Sequence, residues 1–380
     1  MNQDELLGQL RILIDADRLE EAEALLRQAL ASGTGPLVLF AALVKVLRLQ
    51  CRPAEALPIQ RMLVELSPGD LSQRFDLSEI ELLLGDFVNG WRNYRYRYSL
   101  AHTTLLARKV QRPRWDGQRI DGRTLLIHDE QGFGDTLQFL RLVPQAAKRS
   151  GARVVLQVMP ELLPLAVRAS LDAAEIVPGG ALPPAFDLHC ELMSLPMALG
   201  LRLEDLPGCI PYLRPDPARL ARWHDRLAAL PRPLVALNWA GRPTHFNDAA
   251  RSVSFATLAP LAGAGVTFLA IQKGPAAAQS DPAPPGMLIE RLDGEIADFD
   301  DTAAILSIAD LLISVDSSPV HMAGALGRPA WVMLPHAPDW RWLTERTDTR
   351  WYPTHRLFRQ HQRHRWDDVV ADLSAALKKL

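Results

Sequence analysis

Small residues recur at Ala22, Ala56 and Gly90, a spacing of 34, inside segments that align with one another. The segments are Asp17-Arg18-Leu19-Glu20-Glu21-Ala22, Arg52-Pro53-Ala54-Glu55-Ala56 and Gly85-Asp86-Phe87-Val88-Asn89-Gly90. Large apolar residues, Leu13 and Leu47 among them, precede the small ones in step. A fixed period of this length points to stacked copies of one supersecondary unit, each burying a face that it cannot bury alone. An unrelated small helical bundle that merely fills space is the competing reading.

The period and its small-residue position resemble the tetratricopeptide repeat, in which two short antiparallel helices pack where only Ala or Gly fits. Pro68 stands where such repeats place a proline, whereas the first copy has Thr34 and the third runs into Arg95-Tyr96-Arg97-Tyr98. The resemblance implies a tetratricopeptide-like helical domain over residues 1–110, about three repeats long. Its short groove would dock a partner protein or brace the next domain. Trp91, Tyr94, Tyr96 and Tyr98 read either as a contact surface or, more often for such aromatics, as the core of a capping helix.

Composition narrows the function classes. With 48% hydrophobic and 23% charged residues the 380-residue chain is ordinary globular protein, long enough for two or three domains. A net charge of −2 gives no basic surplus for nucleic acid or an acidic membrane surface. Cys51, Cys190 and Cys209 lie far apart without metal-ligand spacing and read as reduced, mostly buried thiols. The acidic start lacks the basic flank and apolar core of a signal peptide, and the apolar stretch Leu37 to Leu47 is too short to span a bilayer. The expectation is a soluble cytoplasmic protein with no transmembrane segment and no nucleic-acid partner.

Past the connector Arg112-Pro113-Arg114-Trp115-Asp116-Gly117 the pattern changes to alternating strands and helices. Thr124 to Asp129 reads as a buried strand, Gln131 to Gly134 as a tight loop, Asp135 to about Ser150 as a helix kinked at Pro144, and Val154 to Met159 as a strand. A second such region opens at Leu234 to Trp239 and continues through strands at Val266 to Gln272, Leu311 to Val315 and Ala330 to Leu334. Ser280 to Met287 reads as an exposed loop and Trp366 to Leu380 as an amphipathic terminal helix. The fold class is therefore α/β, with doubly wound domains at 111–215 and 216–380. Ligands of such sheets bind beyond the C-terminal strand ends, so two facing domains imply a cleft.

Two strand-turn-helix junctions carry the chemistry. The loop Gly132-Phe133-Gly134 is not a dinucleotide fingerprint, because position 137 is Leu. Asp135 has two readings: a carboxylate held ionised at a helix start and able to take a proton, or an N-cap with Gln138 as its capping-box partner. In the second junction, Asp316-Ser317-Ser318-Pro319 leads into Val320-His321 and closes at Gly327. Ser at the cap and Pro in the first turn signal a short helix. Free N–H groups, two hydroxyls and an imidazole there read as an anion site suited to a diphosphate, against the alternative of a capped helix that binds nothing. Arg251 and Lys273, after two strand ends, would neutralise a diphosphate or remain solvated surface charges.

The segments His128-Asp-Glu-Gln-Gly-Phe-Gly-Asp-Thr-Leu-Gln138 and Asp316-Ser-Ser-Pro-Val-His-Met-Ala-Gly-Ala-Leu-Gly-Arg-Pro329 resemble the two signature regions of glycosyltransferase family 9, the bacterial heptosyltransferase family. The resemblance spans roughly residues 120–380. It implies a GT-B fold of two Rossmann-like domains, an acceptor-side one and a nucleotide-sugar donor one, using a nucleotide-sugar donor without cofactor or metal. Asp135 matches the proposed general base, Asp316, Ser317, Ser318 and His321 match the donor-binding segment, and Lys273 and Arg251 align loosely with diphosphate-binding positions. The added repeats depart from plain lipopolysaccharide enzymes and favour a protein acceptor, flagellin or another, over a lipid one. The implied chemistry is an inverting, metal-independent displacement, with Trp340-Arg341-Trp342 closing the cleft, stacking on a base or sugar, or packing in a core. A non-catalytic repeat adaptor with a nucleotide-sensing or degenerate GT-B domain, and a nucleotide-sugar epimerase, are the alternatives.

Overall fold

The computed structural model describes residues 3–31, 35–99, 112–169, 171–245 and 247–380. Thr34 and the expected boundary at 110/111 lie outside them. Among the described residues, the first hundred form three helix hairpins: α1 (Gln3–Asp15) with α2 (Leu19–Ala29), α3 (Leu37–Leu49) with α4 (Pro53–Leu66), and α5 (Leu71–Leu83) with α6 (Phe87–Tyr94). A 3₁₀ turn, Arg95–Ser99, continues α6.

The period of 34 is a packing rule. Ala22, Ala56 and Gly90 each sit on the second helix of a hairpin and are buried there. A Cβ at Gly90 would lie 2.6 Å from Leu82 Cγ, so no larger residue fits between α5 and α6. Leu13 and Leu47 are buried on the first helices. The third copy places Glu81 in their register, also buried, and Asn93 Nδ2 donates to it at 3.0 Å. Burial raises the Glu81 carboxyl above the ordinary range.

Cα packing groups these helices with a distant segment, His336–Arg346, into one unit. Trp340 sets its ring edge-on to Trp91 at 5.2 Å and to Tyr94 at 5.9 Å. Trp91, Tyr94, Trp340 and Trp342 are all buried. The Trp340-Arg341-Trp342 cluster is thus core of the helical unit rather than a stacking platform for a donor.

Residues 112–335 and Thr347–Leu380 form the second unit. Its first lobe contains β1 (Thr124–His128), α7 (Phe133–Phe139), α8 (Val143–Ser150), β2 (Arg153–Val158), α9 (Leu163–Ala169), β3 (Glu175–Pro178), β4 (Leu188–Glu191) and α10 (Leu195–Leu199). The second contains α11 (Pro217–Leu227), β5 (Leu234–Asn238), α12 (Asp248–Arg251), β6 (Thr267–Ala270), β7 (Ile289–Arg291), α13 (Phe299–Ile308), β8 (Leu311–Val315), α14 (Ser318–Ala325), β9 (Ala330–Leu334), β10 (His355–Arg359) and α15 (Asp367–Leu377). The expected single helix from Asp135 to Ser150 is instead α7, a 3₁₀ turn at Leu140–Leu142, and α8. Pro144 stands in the first turn of α8, where its missing N–H costs nothing, so the chain breaks before the proline instead of kinking at it.

Both sheets are parallel, in the orders β3-β2-β1-β4 and β10-β9-β8-β5-β6-β7. In each, the chain first winds one way from the founding strand and then crosses to its other side. That leaves a topological switch point between β1 and β4 and another between β5 and β8, where parallel α/β sheets take their ligands. The two Rossmann-like lobes preceded by an all-helical region are the expected fold class. Val369, Val370, Leu373 and Leu377 seal α15 against the second sheet, whose core also holds Val235, Leu237, Phe255 and Ile313. The 280–287 loop buries both its ends, Ser280 and Met287, and is exposed only between them. Of the cysteines, Cys190 is buried in β4, Cys51 half-buried and Cys209 exposed, so most are not in the core as expected. Among the described residues no helix is long and apolar enough to cross a membrane.

Candidate functional site

Both signature junctions lie at switch points. At the end of β1 the chain turns through Asp129 to Gly132, and α7 begins. Gly132 is the N-cap, and Asp135, three residues on, returns its Oδ2 to accept the Gly132 N–H at 3.0 Å. Asp135 is therefore the third helical residue and not the cap, and Gln138 is buried in the same helix. A capping glycine has no side chain to announce itself, which is why the carboxylate looked like the cap. Asp129 braces the same turn: its carboxylate accepts the Met159 N–H from the end of β2, and burial pushes its pKa up to about 6.

At the end of β8 the backbone passes through Asp316 to Ser317, the N-cap of α14, in extended conformation (φ −158°). Ser317 makes no side-chain cap; its Oγ turns back to the Val315 carbonyl at 3.2 Å and accepts from Asn238 Nδ2 at 3.0 Å. Asn238, the last residue of β5, also reaches Ser314 Oγ at 3.3 Å, so it ties the two strands that flank the switch point. It was legible as a polar residue closing an apolar strand, yet sequence reasoning assigned it no role. Pro319 occupies the first turn, so the opening of α14 is held by neighbours and not closed by its own cap.

Arg251, at the end of α12, donates from Nη1 to the Asp316 carbonyl at 3.0 Å and from Nε to Asp248 Oδ1 at 3.2 Å. Gly241 makes that approach possible, because a Cβ there would come within 2.5 Å of Arg251 Nη2. Of the two candidate cations, Arg251 thus joins the β8–α14 turn. Lys273 is engaged elsewhere, donating to the carbonyls of Asp293 at 2.5 Å and Ile296 at 2.9 Å. Its neighbour Gln272 is buried and accepts the Trp239 and Ala240 N–H groups at 3.0 and 2.8 Å, fixing the end of β5.

The structure brings the two junctions together. Helices α7 and α14 pack on each other, and a Cβ at Gly134 would stand 2.9 Å from His321 Cδ2 and 3.6 Å from Ser318 Cα. Glycine at 134 is what lets the Asp135 turn reach the opening of α14. Phe133 meets Phe299 of α13 at 4.8 Å, and Arg141, just past α7, donates to the carbonyls of Pro207 and Trp351 at 2.9 Å each. His321 is buried, with its Nδ1 3.0 Å from the Tyr352 hydroxyl. His355 supports α14 from beneath, its Nε2 3.0 Å from the Val320 carbonyl, and full burial drives its pKa down to about 4.

At the β1–β4 switch point, ligand atoms of His128, His189 and Glu191 lie within 4.8 Å of one another. His128 Nε2 is 3.2 Å from His189 Nδ1, and Glu191 is ion-paired to Arg114 Nη2 at 2.7 Å. The guanidinium already balances the carboxylate, and burial lowers the His189 pKa. The spacing would admit a cation, but the positive charge of Arg114 opposes one.

No family model matches the chain. Protein FlbA of Caulobacter vibrioides is 30% identical over 336 residues, covering 82% of this chain and 56% of that protein. The chain therefore spans a little over half the length of this curated relative. Among solved structures, the E. coli ADP-heptose lps heptosyltransferase II is similar at 15% identity and a TM-score of 0.49, over 67% of this chain and 99% of that one. The glycosyl transferase family 9 structure from Veillonella parvula DSM 2008 is similar at 11% identity and a TM-score of 0.44, over 70% of this chain and 92% of that one.

Proposed function

We propose that the chain is a glycosyltransferase that moves a sugar from a nucleotide-sugar donor to a hydroxyl acceptor by an inverting displacement that needs no metal. The observation that carries this reading is the packing of the Asp135 turn, at one switch point, against the Ser318 and His321 face of α14, at the other. The donor's diphosphate sits at the opening of α14, where the helix dipole, the Ser318 hydroxyl and N–H groups and His321 receive negative charge. Asp316 and Ser317 shape that turn, and Arg251 is a cation bonded to its Asp316 carbonyl. Lys273, already held by two carbonyls, is left out of the assignment.

In the reaction the Asp135 carboxylate takes the proton of the acceptor hydroxyl as its oxygen attacks the anomeric carbon. The bond from that carbon to the phosphate oxygen breaks on the opposite face, and its electron pair leaves with the nucleoside diphosphate. Charge that grows on the leaving oxygen meets fixed donors that need no reorganisation. The acceptor is a protein that the helical repeats recognise, a reading that follows from the repeats standing ahead of the α/β unit in one chain.

Calorimetry against ADP-, UDP-, GDP- and CMP-sugars tests the donor half, with saturable binding of one class expected. Failure to bind any of them would favour the non-catalytic adaptor. Product analysis without acceptor separates transfer, which leaves the sugar of the donor unchanged or hydrolysed, from epimerisation.

A further inference from the structure

The turn that carries Asp135 has little stiffness of its own. It reads Gly132-Phe133-Gly134-Asp135, and glycine loses more freedom on being fixed than any other residue. Helix α7, which it opens, has seven residues, too few to stand without packing. Phe133 carries the side chain between the two glycines, and its ring meets that of Phe299 at 4.8 Å, tilted by 60°. Phe299 is the first residue of α13 and belongs to the other lobe.

The first turn of α13 is itself firmly held. Successive helical residues point about 100° apart, so Phe299, Asp300 and Asp301 face three different neighbours. Asp301 is fully buried and tied to its own lobe. Its Oδ1 accepts Trp223 Nε1 at 2.8 Å, Arg219 Nη1 at 2.9 Å and Arg222 Nη2 at 2.6 Å, all from α11. Its Oδ2 accepts the Ala297 N–H at 2.9 Å. Asp300, also buried, crosses to the first lobe and takes both prongs of Arg168, in the last turn of α9, at 2.6 and 3.0 Å. Arg168 donates as well to the Arg214 carbonyl at 3.2 Å, in the stretch that joins the lobes. A planar fork on a carboxylate fixes angle as well as distance, and burial strengthens it. The pair therefore sets how the lobes stand beside their joining stretch, and with that the distance at which Phe299 meets Phe133.

We propose that Phe299 is a positioning residue for the Asp135 turn: the first turn of α13 reaches out of the second lobe and holds that turn through Phe133, in a register set by the Arg168–Asp300 pair. A turn held in this way presents the Asp135 carboxylate to an acceptor hydroxyl in one orientation, a consequence that rests on the reading of Asp135 as the base.

The test is amide exchange in the full chain, followed over residues 129–137. Protection there reports on the Asp135 carboxylate directly, because its Oδ2 holds the Gly132 N–H. Phe299→Ala should speed exchange of this segment about tenfold and leave the second sheet unchanged, while Phe299→Leu should restore most of the protection. Arg168→Lys keeps the charge and loses the fork; it should speed the same segment about threefold, although it alters α9 and not α7. Exchange of 129–137 at the wild-type rate in Phe299→Ala or in Arg168→Lys overturns the inference. So does a rise spread evenly over both lobes, the mark of a phenylalanine that only stabilises. A radiolabelled donor of the class that calorimetry selects then separates this positioning from the chemistry. With Asp135 as the base, Phe299→Ala should lower single-turnover transfer about tenfold at unchanged donor affinity. Faster exchange with unaltered transfer would keep the positioning and overturn the base. A chain that binds none of the ADP-, UDP-, GDP- and CMP-sugars overturns the transferase reading, and exchange alone then decides whether Phe299 holds the turn.

Discussion

At the start of α7 the negative charge is built into the protein: Asp135 closes back onto the Gly132 N–H and occupies the helix opening itself. At the start of α14 the cap position holds a serine whose hydroxyl turns the other way, toward β8 and Asn238. One opening is filled by the chain's own carboxylate, and under the proposed function the other receives the donor's diphosphate. The two junctions have the same strand-turn-helix form at equivalent switch points, so the difference proposed between them rests on which group satisfies the first helical N–H groups. The first suits a group that must take a proton, the second a ligand that must leave with charge.

The sharpest way to break this contrast is Asp135→Asn. The amide oxygen can still accept from Gly132, so the fold and the donor affinity should persist while transfer falls by about 10²- to 10⁴-fold. Single-turnover assays with a radiolabelled donor read this. Undiminished turnover would reduce Asp135 to a capping residue and remove the asymmetry.

Acid should act unequally on the two openings. His355 holds the α14 side through the Val320 carbonyl while neutral, with its folded pKa near 4 against an ordinary value near 6.5. As pH falls below about 6.5 the unfolded chain takes up a proton that the folded chain refuses. The stability is therefore full above that point and is lost on the way down toward pH 4, by about 2 kcal/mol at pH 5. Urea midpoints at pH 7 and pH 5 should differ less in His355→Gln than in wild type. Equal differences would remove His355 as the source.

The smallest expected effect is that of Arg251→Ala, which removes the cation at the β8–α14 turn but none of the N–H groups. Diphosphate affinity should drop about tenfold, with the transfer rate at saturating donor little altered. A fall in rate at saturation with unchanged affinity would move Arg251 out of the ground-state contact and into the stabilisation of the leaving group.

How much of this could be read from the chain depends on how local each signal is. The small residues at 22, 56 and 90 announce helix hairpins because the tight approach recurs within each copy. The strands Leu311–Val315 and Ala330–Leu334 stand where their apolar runs predict. The short strands β3, β4, β7 and β10 carry no such run: all four are sheet edges, and β4 reads Leu-His-Cys-Glu. Their existence depends on partners far away in sequence. Asp135, Asp316, Ser317, Ser318 and His321 stand out as candidates because turn chemistry is local, and α7 and α14 bring their two groups together. Arg251 and Lys273 could not be told apart, since a position after a strand does not say which carbonyl or carboxylate the side chain will meet. Asn238, Arg141 and Tyr352 escaped notice because each acts across the lobes or strands and not along the chain.

The segment His336–Arg346 gives the molecule an order of assembly. The repeats leave the ribosome first, but Trp340 and Trp342, which finish their aromatic core, follow some 240 residues after Tyr94. During synthesis the helical unit must wait with Trp91 and Tyr94 uncovered until nearly all of the α/β unit has been made. Cutting the chain between the two units would leave each with a wound: repeats lacking their last layer, and an α/β unit carrying two tryptophans that belong to the repeats. The repeats are in this sense not a detachable adaptor, and a graft that moves them to another protein would need the eleven-residue loop as well.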